Sequence, residues 1–223
     1  MPVSSTVSPG VPASARLSLR LPVPEAGALY LPADVPPLTE DELFELCRQN
    51  SDLRIERTAE GGLIVMPPSG GYSGYRGSRV THLLRAWAER DGSGEVFDSS
   101  TGFRLPGSRA LRSPDAAWVR RERLASLTRS EKQRFLPLCP DFLMEIASPS
   151  DRPADLQQKM REYRAAGLAL GWLIQPADHP EERRVEVWTQ EQITVLSAPA
   201  TLSADPLLPG FTLDLASIWD PPF

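Results

Sequence analysis

The sequence predicts an α/β fold in which a mixed sheet carries helices against its faces. Three observations predict it. Runs with helical apolar spacing intersperse with short β-patterned runs along the chain. Phe142–Ala147 is almost continuously apolar, as expected of a strand buried on both faces. Other runs are short and bounded by turn signals such as Glu60-Gly61-Gly62, the pattern of antiparallel strands. With 223 residues, 41% hydrophobic and 24% charged, the chain can bury one sizeable core. These values exclude collagen, coiled coil and wholesale disorder.

Residues 1–37 read as a Pro-rich N-terminal tail, poorly ordered, with one short extended piece near Arg16–Leu21. Residues 38–223 read as the folded domain, with order beginning at Thr39. Thr39 with Glu42 three residues on is a capping box, opening a helix to about Gln49. Leu53–Thr58 and Leu63–Met66 flank a glycine turn and predict a hairpin. Pro67–Gly74 reads as a loop, followed by a helix from about Arg76 to Arg90 with Val80, Leu83, Leu84 and Trp87 at helical spacing. Short strands are expected at Glu95–Asp98, Gly102–Leu105 and Asp115–Val119. A small helix is expected at Arg121–Leu127, with a second capping box at Thr128–Glu131. After the Phe142–Ala147 strand, a helix spans Pro153–Ala166 and Gly167 closes it. Leu170–Ile174, Arg184–Trp188 and Ile193–Leu196 complete the strands.

Composition narrows the function classes. A net charge of −5 argues against a broad basic surface coating nucleic acid, and leaves room for a local basic cleft. Two cysteines and two histidines make neither a disulfide framework nor a Cys/His metal cluster. No apolar run reaches the roughly 18 residues that a membrane span needs. The N-terminus lacks the pattern of a secretory signal, so a cytoplasmic setting is expected. The five tryptophans are spread through predicted elements and read as core anchors.

One count stands out. Of 24 basic residues two are lysines, Lys132 and Lys159, and arginine supplies the other 22. Lysine differs chemically, as a compact donor whose proton can move. Lys132 falls in a polar turn. Lys159 lies within about 60° of Leu156 on the apolar stripe of its helix.

Glu145 poses a second problem. Alternation puts it on one strand face with Leu143 and Ala147, inside an apolar run. A buried carboxylate must be protonated, paired or bound to a metal. A structural ion pair with an arginine is the simplest answer. Asp115 opens another strand, on the face of Ala117 and Val119. If the two strands are neighbours, two carboxylates converge. With a backbone carbonyl they make a hard oxygen site suited to Mg²⁺ or Mn²⁺.

Ser113-Pro114-Asp115-Ala116-Ala117-Trp118, then Pro140-Asp141-Phe142-Leu143-Met144-Glu145-Ile146-Ala147-Ser148-Pro149-Ser150-Asp151, resemble the Uma-type putative restriction endonuclease family. So do Asp155-Leu156-Gln157-Gln158-Lys159-Met160-Arg161-Glu162-Tyr163, Gly171-Trp172-Leu173-Ile174 and Leu207-Leu208-Pro209-Gly210-Phe211. The resemblance runs from about Leu38 to Trp219. That family is regarded as a branch of the PD-(D/E)XK nuclease superfamily. The resemblance implies a restriction-endonuclease-like core with extra antiparallel strands, DNA as substrate and a Mg²⁺-dependent phosphodiester hydrolysis site. Asp115 would be the first acid and Glu145 the second, with the Ile146 carbonyl as a third metal ligand. The superfamily's lysine would fall at Ala147, and Lys159 would fill that space. Arg76, Arg79, Arg104 or Arg112 would contact phosphates. A homodimer would suit cutting of both strands. The competing expectations are a non-cutting nucleic-acid-binding or assembly protein on the same fold, and an acid/base enzyme without metal.

Overall fold

The computed structural model describes residues 20–24, 27–33 and 38–223. The first element is strand β1 (Leu29–Leu31), which pairs antiparallel with β3 (Leu63–Met66). These three residues fall in the stretch expected to be a poorly ordered tail, and order begins before Thr39. The reason is tertiary: a strand this short has little intrinsic signal, and an existing hairpin edge supplies its hydrogen-bonding partner. Of the extended piece expected near Arg16–Leu21, residues 16–19 lie outside the described residues.

Helix α1 (Glu40–Gln49) starts as its capping box requires. Thr39 Oγ1 accepts from the Glu42 amide, and the Glu42 carboxylate accepts from the Thr39 amide. Strand β2 (Arg54–Arg57) joins β3 across the glycine turn, where Gly61 takes a φ of 102°. Helix α2 (Gly71–Asp91) begins five residues before the expected Arg76. Glycine-rich sequence argued for a loop, but tertiary contacts outweigh that propensity. Tyr72 and Tyr75 meet the ring of Phe223, and the Arg76 guanidinium donates to the Ile218 and Trp219 carbonyls.

Then follow β4 (Gly94–Asp98), β5 (Phe103–Arg104), β6 (Leu111–Arg112), β7 (Ala116–Arg120), and the short helices α3 (Arg121–Ala125) and α4 (Arg129–Lys132). Strand β8 (Phe142–Ile146) is the apolar run. Helix α5 (Pro153–Ala165), β9 (Leu170–Gln175), β10 (Arg184–Thr189) and β11 (Ile193–Ser197) come next. A hairpin of β12 (Thr201–Ser203) and β13 (Thr212–Asp214), then α6 (Ala216–Trp219), end the chain.

Among the described residues these strands form a six-stranded sheet in the order β11-β10-β9-β8-β7-β4, and a five-stranded sheet in the order β1-β3-β2-β6-β5. In the larger sheet β8 and β9 run parallel, joined by α5, and the other pairs are antiparallel. The expected mixed sheet flanked by helices is what forms. Alternation along β8 divides the core. Phe142 and Met144 pack with Val80, Leu84 and Trp87 of α2, and with Leu208 and Phe211 from the C-terminal segment. Leu143 packs with Met160 and Tyr163 of α5, and with Ala117 and Val119. All five tryptophans are buried. No described helix is long and apolar enough to cross a membrane.

Candidate functional site

The antiparallel register of β7 and β8 fixes the centre of the site. Ala117 pairs with Leu143 and Ala116 with Met144, so one step further sets Asp115 opposite Glu145. Side chains alternate, so both acids emerge on the α5 face. Pro114 precedes Asp115, and the regular pairing of β7 begins only at Ala116. The Asp115 side chain takes over the missing bond: its Oδ2 accepts from the Ile146 amide at 2.8 Å. A strand residue turns its N–H and C=O to the same edge, so the Ile146 carbonyl faces the Asp115 side.

Lys159 enters from α5. Its Nζ lies 2.7 Å from Glu145 Oε1, 2.9 Å from Glu56 Oε1 and 3.4 Å from the Ser113 carbonyl. Tyr163, one turn on, donates to Glu145 Oε1 at 3.0 Å. Glu145 Oε2 accepts no hydrogen bond among the described residues. The lysine that the sequence puts on the apolar stripe is therefore buried, with Glu145 as its partner. Asp115, Glu145, Ile146 and Lys159 all line one cavity of about 280 Å³, between the smaller sheet and the loop from β8 to α5.

The smaller sheet supplies residues that sequence reasoning missed. Glu56 and Arg54 of β2 point into the same cavity. Glu56 is 1% exposed; its Oε2 takes Arg112 at 3.0 Å and its Oε1 takes the Ser113 amide at 3.2 Å. Arg112 also grips Glu162 through two bonds of 2.7 and 2.9 Å. The result is a buried chain of charges, Glu162–Arg112–Glu56–Lys159–Glu145. A signal was available: Glu162 and Tyr163 stand three and four residues after Lys159, on one helix face. Glu56 carries no comparable signal: it stands between Ile55 and Arg57 in a short strand that only the folded chain buries on both faces.

The electrostatics separate the two acids that share Lys159. Burial pushes the Glu145 carboxyl up to about 7; Lys159 opposes this, and Asp115 and Glu56 add to it. Burial would also raise Glu56, but Lys159, Arg112 and Arg54 together pull it down. Glu56 thus holds the negative charge, and Glu145 is the acid whose proton is exchangeable near neutrality. Lys159 stays protonated because Glu145 and Glu56 outweigh its desolvation. Burial and the Glu145 charge raise Tyr163 well above the ordinary phenol range.

Of the four arginines expected to meet phosphate, Arg112 lines the cavity, and Arg76, Arg79 and Arg104 do not. Arg112 is buried in its carboxylate clamp, and Arg76 is committed to C-terminal carbonyls, so neither is free to meet a phosphate. Arg104 is half-exposed near Glu40. The Arg79 Nε is buried without a hydrogen-bond partner among the described residues. Asp141 accepts from the Arg120 amide and pairs with Arg123, apart from the cavity. Lys132 and His82 are exposed. Cys139 is buried, and desolvation raises its thiol to about 12, which removes it as a nucleophile.

The donor set fits a hard divalent cation. Among the described residues no three His, Cys, Asp or Glu side chains group to hold a metal ion. Two carboxylates and a carbonyl remain, and Mg²⁺ commonly takes one or two carboxylates and keeps several waters. The uncommitted Oε2 of Glu145 is the specific feature that suits a ligand role.

The fold has a solved counterpart. A protein described as a putative nuclease belonging to DUF820, from Anabaena variabilis ATCC 29413, matches with a TM-score of 0.66 and 18% identity, covering 82% of this chain and 98% of that chain. At that identity the likeness speaks for the fold alone. No curated protein sequence matches the chain. The family described as "Uma2: Putative restriction endonuclease" matches residues 40–216, and the chain belongs to that family.

Proposed function

We propose that this protein is a Mg²⁺-dependent endonuclease that hydrolyses phosphodiester bonds in DNA. One observation carries the reading. Asp115 and Glu145 stand opposite each other on adjacent strands, with Lys159 against Glu145, and all three line one cavity. Asp115, Glu145 and the Ile146 carbonyl would hold the metal, Mg²⁺ or Mn²⁺. When bound, such an ion supplies Lewis acidity toward a phosphate oxygen and lowers the pKa of a coordinated water.

The chain's own residues do the rest. Lys159 is a fixed ammonium, held by Glu145 and Glu56 on one side and the Ser113 carbonyl on another. It orients a water or offsets charge on the phosphate as the bond breaks. Glu56 and Arg112 position Lys159 from behind. Tyr163 fixes the rotamer of Glu145 by its hydrogen bond. The reading includes a cytoplasmic, reducing setting, in keeping with two free cysteines. It also includes a homodimer that presents one site to each strand.

A second reading, a non-cutting nucleic-acid-binding or assembly protein, has one observation in its favour. Both oxygens of Asp115 already meet the fold, through Ile146 and Arg54. A plasmid-cleavage assay separates the two. The purified protein should nick supercoiled DNA with Mg²⁺ and not with EDTA, and Glu145→Gln should remove the activity. Cleavage that persists equally in Glu145→Gln comes from a contaminant. Its absence from the parent protein across substrates and divalent metals would leave the binding reading.

A further inference from the structure

We propose that Arg54 is a substrate-contacting residue that grips a nucleic-acid phosphate at the floor of the cavity. This inference rests on the nuclease reading and adds to it a cation that the family motifs do not name.

The first argument is location. Arg54 lies on β2, two residues before Glu56, and lines the cavity with Asp115, Glu145 and Lys159. Its side chain is 32% exposed, enough for a ligand to reach.

The second argument is bonding capacity. A guanidinium carries five N–H donors. Among the described residues Arg54 spends its donors on Asp115 Oδ1 at 3.4 Å and on the Met66 sulfur at 3.2 Å. The first is long for a charge-assisted bond and the second acceptor is weak. Nearby arginines are spent quite differently. Arg112 makes three bonds of 2.7–3.0 Å to two carboxylates. Arg57 is tied to the Arg109 and Leu38 carbonyls and to Glu40. Among the described cations at this cavity, Arg54 and the exposed Arg152, which stacks on the Tyr30 ring, keep their donors largely available, and Arg54 is the one that stands beside Asp115.

The third argument is chemical fit. A guanidinium presents a planar fork that matches two phosphate oxygens. Asp115, Glu56 and Glu145 keep a like-charged anion from settling there unless a cation comes with it or Arg54 receives it. If Asp115 turns to a metal, the weak Arg54–Asp115 contact is the cheapest one to give up. The fork would then be free beside the residues that would hold the metal.

The test needs no catalysis. Binding of a fluorescein-labelled DNA duplex is followed by anisotropy in EDTA, at a series of salt concentrations. The parent protein is compared with Arg54→Met, Arg54→Lys and Arg90→Met, the last on the exposed end of α2. Arg54→Met should weaken binding about tenfold, as for loss of a charged hydrogen bond. It should also lower the slope of log K against log salt by about one. Arg54→Lys should keep the slope and lose part of the affinity, and Arg90→Met should match the parent. If Arg54→Met is not folded by circular dichroism, Arg54→Gln takes its place. A parent protein that binds, with Arg54 variants of equal affinity and slope, overturns the Arg54 assignment alone. A parent protein that neither binds DNA nor cleaves it with Mg²⁺ overturns the nuclease reading as well.

Discussion

Lys159 Nζ lies 2.7 Å from Glu145 Oε1, across the gap between α5 and β8. The pair joins a buried lysine to an acid in an apolar strand; each charge offsets part of the other's desolvation, and burial still leaves the Glu145 carboxyl raised. The lysine also has Glu56 at 2.9 Å, so it keeps an anchor if Glu145 turns to another partner.

Removing that ammonium should be costly to activity. Lys159→Met should lower single-turnover cleavage by at least about a hundredfold, the usual scale for a positioned proton-transfer or charge-stabilising group. Lys159→Arg should not restore it, because the planar fork does not fit the space of a compact ammonium. Rates measured with saturating Mg²⁺ on folded variants decide the point. Wild-type rates in both would end the role assigned to Lys159.

Stability without metal should fall between pH 5 and 8. The Glu145 carboxyl is raised from 4.5 to about 7 in the fold. Its proton therefore stabilises the fold fully below the unfolded pKa, and that contribution is lost as pH rises through the folded one. Glu56 is lowered, so its contribution is present above 4.5 and fades in acid. Unfolding free energies from urea titrations in EDTA should decline from pH 5 to 8 by an amount on the order of 1–3 kcal/mol. Glu145→Gln, which cannot ionise, should flatten that decline; an unchanged slope would show that another group is responsible.

Arg112→Met should be among the most damaging core substitutions. It strands Glu56 and Glu162, both buried, without their shared cation. Breaking one partner from a buried pair costs about 3–5 kcal/mol. Adding Glu162→Gln should recover part of the loss, and a double-mutant cycle by urea denaturation measures how much. Strict additivity would mean that the two do not interact.

Two glycines should respond with opposite signs to alanine. At Gly94 a Cβ would stand 2.4 Å from the Trp118 ring and 2.5 Å from the Val119 carbonyl. The sheet edge would have to shift, at about 1–3 kcal/mol. At Gly77, inside α2, a Cβ meets nothing within 4 Å. There alanine should stabilise by about 0.5–1 kcal/mol through helix propensity. Thermal unfolding of the two variants should bracket the parent; the same sign for both would contradict this packing.

Local rules determined a large part of this molecule. The capping boxes at Thr39 and Thr128, the glycine turn between β2 and β3, and the apolar run of β8 each act over a few residues. Alternation alone put Asp115 with Ala117 and Glu145 with Leu143, and the 3.6-residue period turned Lys159 inward. Glu145 and Lys159 are legible because a charge inside an apolar pattern is conspicuous, whereas Asp115 only opens its strand and owes its expected role to the family resemblance. Tertiary structure decided what they meet. The register of β7 against β8 brought the acids opposite each other, and no local signal encodes register between strands so far apart in sequence. The second sheet brought Glu56 and Arg54 to the same cavity and consumed Arg112 in a clamp. It also recruited residues 29–31 from a stretch whose composition argues for disorder, because an open strand edge offers what the segment alone cannot, a partner for its backbone.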